Sequence, residues 1–164
     1  MGPEMKIRPI ENIMLAYQHK TPFYMPSMFT DVNLFQANPS MERFCAHGIG
    51  KDGFGVEWKY EAKASAPMTT QNHLIDSITD WKKVQFPDLN AIDWKVQHET
   101  DGRTDFRTLV TEGILVPFQD GHSIFDNHDK FNMCMVINGP FERMHAIEGF
   151  DNALCDLIEE PEAC

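Results

Sequence analysis

No stretch of this chain is apolar for the ~20 residues that a membrane-spanning helix needs. The longest apolar runs, around Ile13–Tyr17 and Met133–Ile137, are short. The opening Met-Gly-Pro-Glu-Met-Lys-Ile-Arg-Pro is polar and leads into no apolar signal core. Positive charge is scarce: 14 Lys and Arg stand against 25 Asp and Glu, a net charge of −11. The basic residues are scattered, so neither a nucleic acid nor a membrane is the expected partner. Cysteine is scarce too. Cys45, Cys134, Cys155 and Cys164 form no CxxC pair and no zinc-finger spacing. Free thiols beside ten methionines suit a reducing compartment, so the expected location is cytoplasmic. Cys134 and Cys155 lie in apolar runs and read as small core residues. There is no repeat and no low-complexity tract.

What is present is a globular composition, 42% hydrophobic and 24% charged, in 164 residues, enough for one domain with a core. Residues 9–20 carry Ile10, Ile13, Met14 and Tyr17 at helical spacing, with Pro22 as the stop. Residues 23–29 read as a strand followed by Thr30 and Asp31, although Pro26 is unusual in one. A glycine-rich loop spans 38–53. Residues 54–60 alternate as a half-buried strand does. A helix is expected over 73–84, with Leu74, Ile78 and Trp81 on one face. Another is expected from near Asn90 to about Val110, interrupted around Gly102. Residues 131–138 have the continuous apolar centre of a strand covered on both faces, usually in a parallel sheet. Gly139-Pro140 then opens a helix closed by Gly149. A last helix over 151–160 carries Ala153, Leu154, Leu157 and Ile158 on one stripe, with Asp151 as its N-cap. Strands alternating with helices predict an α/β fold with parallel pairing.

Several segments resemble the uroporphyrinogen decarboxylase superfamily. They are "ENIMLAYQHKTPFYMPSMFTD", "GKDGFGVEWKY", "APMTTQNHLIDSITDWKKVQFPDLNAIDW" and, most strongly, "NGPFERMHAIEGFDNALCDLIEEPE". The last reads strand, Gly-Pro, helix, Gly-Phe, helix, Pro-Glu. The resemblance covers nearly the whole chain. It implies a (β/α)8 barrel of the TIM type, of which residues 1–164 would form the N-terminal portion, incomplete at the C-terminus. Such a barrel takes about 250 residues. The phrases "FGVEW" and "FPDLNAIDW" are similar to the decarboxylase-like branch placed beside cobamide-dependent methyltransferases, including O-demethylases. The implied function is corrinoid-dependent methyl transfer. Zinc and a corrinoid belong to the full-length enzyme and are bound by nothing in this chain alone. The implied partners are a corrinoid protein or the missing C-terminal half-barrel, with a homo-oligomer as a further arrangement. Two alternatives stand beside it: a uroporphyrinogen-type decarboxylase, or a non-catalytic half-barrel that needs a partner. The decarboxylase reading needs arginines after the first strand to hold a polycarboxylate. Here "MFTDVNLFQ" has none.

Within that frame Asp31, at the end of the expected first strand, is a catalytic candidate or an N-cap. Asn138, at the end of the strand over 131–138, is a second catalytic candidate or a turn residue. Asp52, Trp58, Tyr60 and Arg143 are substrate-binding candidates at the barrel mouth. For Trp58 and Tyr60 the alternative is core packing. Arg143 could pair with Glu142 or a nearby loop, and its alternative is a residue of a surface helix. Gly48, Gly50 and Gly53 form a GxGxxG that neither follows a clear strand nor opens a helix, so it fails the context of a dinucleotide site. Asp120, His122, Asp126, His128 and Asp129 cluster without metal-ligand spacing and read as a solvated loop. A zinc titration of this chain is expected to reveal no tight stoichiometric site, and saturable one-to-one binding would contradict that.

Overall fold

The computed structural model describes residues 7–44, 46–108 and 114–164. The expectations for Cys45 and for a helix reaching Val110 fall outside them. The first helix, α1 (Pro9–Tyr17), begins with proline where a missing N–H costs nothing. It ends before the expected residue 20. His19 takes a left-handed φ of 57°, and the N–H groups of His19 and Lys20 donate back to Ala16 O (3.0 Å) and Leu15 O (2.8 Å). These two bonds satisfy carbonyls the helix would otherwise leave open. Only Asn12 and Ile13 of α1 are buried, and Met14 and Tyr17 stay exposed.

The strand expected over 23–29 is absent. Its donors are spent elsewhere: Phe23 N–H donates to Asn12 Oδ1 (2.7 Å) and Ser27 N–H to Asp31 Oδ2 (2.8 Å). Pro26 has no donor to give. Asn12 Nδ2 also donates to Tyr24 O (3.0 Å), so one buried side chain ties this loop to α1. Asn12→Ala is expected to cost about 1 kcal/mol by removing two part-buried hydrogen bonds to the backbone of Phe23 and Tyr24. A urea titration and proteolysis within 23–31 would check it.

The strand comes later, as β1 (Val32–Phe35), and pairs in parallel with β7 (Phe131–Cys134), Val32 opposite Phe131 through Phe35 opposite Cys134. The parallel pairing expected for the 131–138 run is therefore present. Its expected burial is not. Asn132 and Cys134 are exposed and Val136 is 72% exposed, so one face of β7 is open. β1 is the more buried strand, with Asn33 inside it, donating to Asn127 O (2.9 Å) and Asn132 Oδ1 (2.8 Å).

A second sheet is antiparallel: β2 (Gly48–Lys51), β3 (Glu57–Tyr60) and β4 (Met68–Thr69), with β3 central. The formal GxGxxG thus becomes a hairpin strand. Gly50 lies where a side chain would collide with the Phe44 ring. A short helix α2 (Pro39–Glu42) lies between β1 and β2 within the region read as a loop. The third sheet joins β5 (Thr104–Asp105) to β6 (Val116–Pro117). Between the second and third sheets runs α3 (Trp94–Arg103), capped by Asp93, whose Oδ1 accepts from Lys95 N–H (3.1 Å) and Val96 N–H (3.2 Å).

Only Ile78–Lys83 of the helix expected over 73–84 forms, as a 3-10 turn. The residues before it run without helix, and Leu74 N–H donates to Ile147 O (2.8 Å), which ties this segment to a helix reached later in the chain. Two helices close the described chain, α4 (Pro140–Glu148) and α5 (Phe150–Glu159). Gly149 links them at φ 93°, ψ 153°, and takes the N-cap position expected for Asp151.

Two cores result. One gathers Val56, Trp58, Ile75, Val84, Ala146 and Ile147. The other gathers Ile13, Val32, Leu34 and Phe106, with Phe131 and Met133 against it. The cysteines depart furthest from expectation: Cys134 and Cys155 are exposed, as is Cys164. Of the α5 stripe, Ala153 is buried, whereas Leu154 and Leu157 are exposed and Ile158 is 81% exposed. The fold is mixed α/β. Among the described residues it has three small sheets and no closed barrel, and no helix long and apolar enough to cross a membrane.

Candidate functional site

In parallel sheets, functional groups collect in the loops beyond the C-terminal ends of the strands. Here those loops are 36–43 after β1 and 135–139 after β7, and a polar network joins them. Glu42 Oε2 accepts from the N–H groups of Ile137 and Asn138, both at 2.9 Å. Asn138 Nδ2 donates to Glu42 O (2.6 Å), and Asn138 Oδ1 accepts from Arg43 Nη2 (2.8 Å). Arg143, on the first turns of α4, donates through Nη2 to Glu42 O (2.7 Å) and through Nη1 to Asp52 Oδ2 (2.7 Å).

Asp52 is the hub. It sits in the turn between β2 and β3 with its side chain fully buried. Oδ1 accepts from Phe54 N–H (2.9 Å) and Val56 N–H (3.1 Å), which shapes the turn. Oδ2 accepts from Trp58 Nε1 (3.0 Å) as well as from Arg143. Four donors, one of them a guanidinium, stabilise a carboxylate inside the protein. The Arg143 guanidinium lies 4.1 Å from the Phe54 ring centroid and that of Arg43 lies 5.3 Å from the Trp58 ring. Cations stack on aromatic faces in this way because the ring quadrupole is negative there.

Of the residues picked from the sequence, Asn138, Asp52, Trp58 and Arg143 are thus brought into one network. Arg143 pairs with the 51–56 turn rather than with Glu142. Trp58 (4% exposed) and Tyr60 (2%) are buried, and Trp58 belongs to the core. The His47 ring packs against Tyr60 at 4.7 Å. Their rings are buried in the interior.

Asp31 stands apart. It precedes β1, at the opposite end of the strand from the network, because the strand expected before it does not form. Its carboxylate accepts from Ser27 N–H (2.8 Å) and Tyr24 Oη (3.3 Å), and its own N–H donates to Ser27 O (2.9 Å). Burial and the neighbouring Asp31 carboxylate raise the Tyr24 phenol above its ordinary range. Asp31 closes a loop in this structure.

Gln36, Glu42 and Arg43 were not singled out in the sequence. Glu42 and Arg43 meet partners 95 residues away, so nothing local marks them. Gln36 is the distinctive one. It follows β1 directly, is 3% exposed, and among the described residues neither its Oε1 nor its Nε2 has a hydrogen-bond partner. A small cavity of about 10 Å³ between Gln36, Pro39, Asp101, Thr104 and Leu115 adjoins it. A buried amide left open costs stability, and its donor and acceptor are free to meet a bound group. In the network, Glu42, Asn138 and Asp52 hold backbone groups of the 42–56 and 137–138 segments in place. Among the described residues no three His, Cys, Asp or Glu side chains gather in a metal-binding arrangement.

No family model, curated protein or solved structure matches this chain.

Proposed function

We propose that this chain is the N-terminal part of a cytoplasmic (β/α)8 barrel of the uroporphyrinogen decarboxylase superfamily, in the branch that transfers methyl groups with a corrinoid protein. The observation that carries this is the parallel β1–β7 pair with the two helices after it. β7 runs through Asn138, Gly139 and Pro140 into α4, then Gly149 and Phe150 into α5. That is the order of elements on which the resemblance rests. A parallel pair followed by helices is the unit from which such barrels are built. The Glu42–Asn138–Arg143–Asp52 network lies at the strand ends where barrel enzymes keep their chemistry.

Within this reading β1 and β7 each keep one edge that no described strand covers. An apolar groove of about 500 Å³ lies beside them, between Tyr17, Pro26, Met28 and Met133. Further strands of a C-terminal half-barrel would cover both, and a second copy of the chain is the alternative.

The substrate is a small methyl donor rather than a polycarboxylate. Arg43 and Arg143 at the strand ends are engaged by Asn138, Glu42 and Asp52. The net charge of −11 also disfavours a polyanion. The network offers carboxylate, amide and guanidinium groups but no imidazole or thiol. These residues therefore do not fit zinc. In this reading the zinc ligands come from the C-terminal half and the corrinoid from its carrier protein.

The first test is the coding sequence beyond Cys164. About 200 further codons are expected from the usual barrel size, with His and Cys ligands among them. The longer protein is expected to discharge methylcobalamin in the presence of a thiol acceptor, followed by its absorption spectrum. Arginine clusters and release of CO2 from a porphyrinogen would replace methyl transfer by decarboxylation. A stop codon, with an inactive and stable monomer, would end the proposal.

A further inference from the structure

We propose that Gln36 and Asp101 hold one internal water molecule, which fastens the C-terminal end of β1 to α3. This does not rest on the barrel reading. Gln36 follows β1 directly and is buried. Among the described residues both polar atoms of its amide are without a hydrogen-bond partner. Asp101, in the last turn of α3, is 6% exposed. The two residues line one small cavity of about 10 Å³, whose other walls include Pro39, Thr104, Phe106 and Leu115.

The size of the cavity and the chemistry of its walls select the occupant. A space of this size has room for a single water and for no larger ligand. Buried waters typically make about three hydrogen bonds, to groups that would otherwise stay unpaired. A carboxamide carries its oxygen and one N–H side by side on the same edge. One water can therefore accept from Nε2 of Gln36 and donate to its Oε1. The second hydrogen of that water needs an acceptor, and Asp101 supplies it. Its Oδ1 accepts from Gln97 Nε2 (2.7 Å), and its two oxygens share the Asn38 N–H at 3.3 and 3.2 Å. An ionised carboxylate has about four acceptor sites, so Oδ2 keeps capacity for a further donor. The Thr104 hydroxyl already donates to Thr100 O (2.8 Å). A bare cation fits the cavity less well, because the Gln36 amide would turn a donor as well as an acceptor toward it.

The water forms a joint at the start of the 36–43 loop. Asn38, two residues after Gln36, donates its N–H to the same carboxylate. The loop then carries Glu42 and Arg43 to Asn138 and Arg143. The hydrated joint fixes where β1 ends and where the loop departs, and so positions that network from behind. A dry amide and a hydrated one predict opposite signs for the same substitution. Replacing a buried amide that has no partner by an apolar side chain of similar shape relieves its desolvation cost. Replacing one that a water satisfies forfeits the bonds and leaves Asp101 a donor short.

The test uses NMR on the full isotope-labelled chain. Cross-peaks between water and the Gln36 side-chain amide protons are expected, opposite in sign between nuclear and rotating-frame Overhauser spectra. That sign separates a resident water from proton exchange and from fleeting surface contact. This wild-type measurement decides the matter even where a variant does not fold. In Gln36→Met the unfolding equilibrium constant read from a urea titration should rise roughly 5–30-fold, and the Asn38 amide should exchange with solvent faster. Replacing sodium chloride by choline chloride at equal ionic strength should leave the wild-type stability unchanged. Three results would each overturn the proposal. Absent cross-peaks, or a Gln36→Met chain no less stable than wild type, would leave the amide dry. Stability that depends on sodium would put a cation in the cavity.

Discussion

Asp52→Ala is expected to lose about 3–5 kcal/mol, the cost of leaving a buried charge and its donors without their partner. The substitution strands Arg143, Trp58 Nε1 and the N–H groups of Phe54 and Val56 together. Domains of this size have only about 5–15 kcal/mol in total, so the loss would take a large share of it. Urea unfolding should show the midpoint falling with little change in slope. Arg143→Met separates the two halves of the effect. It removes the ion pair and the bond to Glu42 O but leaves three donors on Asp52, so the carboxylate stays partly satisfied. Its loss should be smaller than that of Asp52→Ala. Equal losses would mean that the turn's backbone bonds contribute little. A change under about 0.5 kcal/mol for Asp52→Ala, the range of an ordinary surface substitution, would remove Asp52 from its place as hub.

Gly149→Ala is the second large effect, because two penalties coincide at one atom. Gly149 has φ 93° and ψ 153°, a region essentially confined to glycine that costs other residues roughly 1–3 kcal/mol. A Cβ there would also overlap the His73 imidazole. Overpacking of that kind costs about 1–3 kcal/mol more. The penalties can be separated because only one of them involves His73. In the double variant Gly149→Ala with His73→Ala, the steric part should return and the backbone part should not. A double-mutant cycle read by thermal unfolding should give a coupling of about 1 kcal/mol or more. Zero coupling would place the whole cost in the backbone.

Much of the local structure was legible in the residues. Proline marks the first turns of α1 and α4, Gly149 closes α4, and the alternation around Trp58 gives β3. Parallel pairing was legible from the run around Met133, but the strand expected over 131–138 stops at Cys134, which leaves Asn138 in the loop after it. Asp52, Trp58, Arg143 and Asn138 could be chosen as polar or aromatic residues in suspect loops, but their mutual contacts could not. β1 was placed one element too early, since Phe23 and Met25 look more strand-like than a segment centred on Asn33. The deciding facts were the carboxamide of Asn12 and the carboxylate of Asp31, which took the donors of 23–29. Cys134 and Cys155 read as core because apolar neighbours usually mean burial. In the fold the open face of β7 and the outer side of α5 carry them instead.

The sequence by itself determined composition, charge, the scarcity of thiols, the starts of α1 and α4 and the stop of α4 at Gly149. Those signals act through backbone sterics and hydrogen bonds within about four residues, and neighbours in the chain supply them. Only the tertiary structure decided which groups are buried and what they meet. The Asp52–Arg143 pair spans 91 residues, the Glu42–Asn138 bond 96, and the Asp156–Ile78 bond 78. At such separations the partner is chosen by how the sheets and helices pack. The burial that raises the pKa of the Glu148 carboxyl to about 7 is likewise a property of the packed α4–α5 pair and of no short stretch of residues.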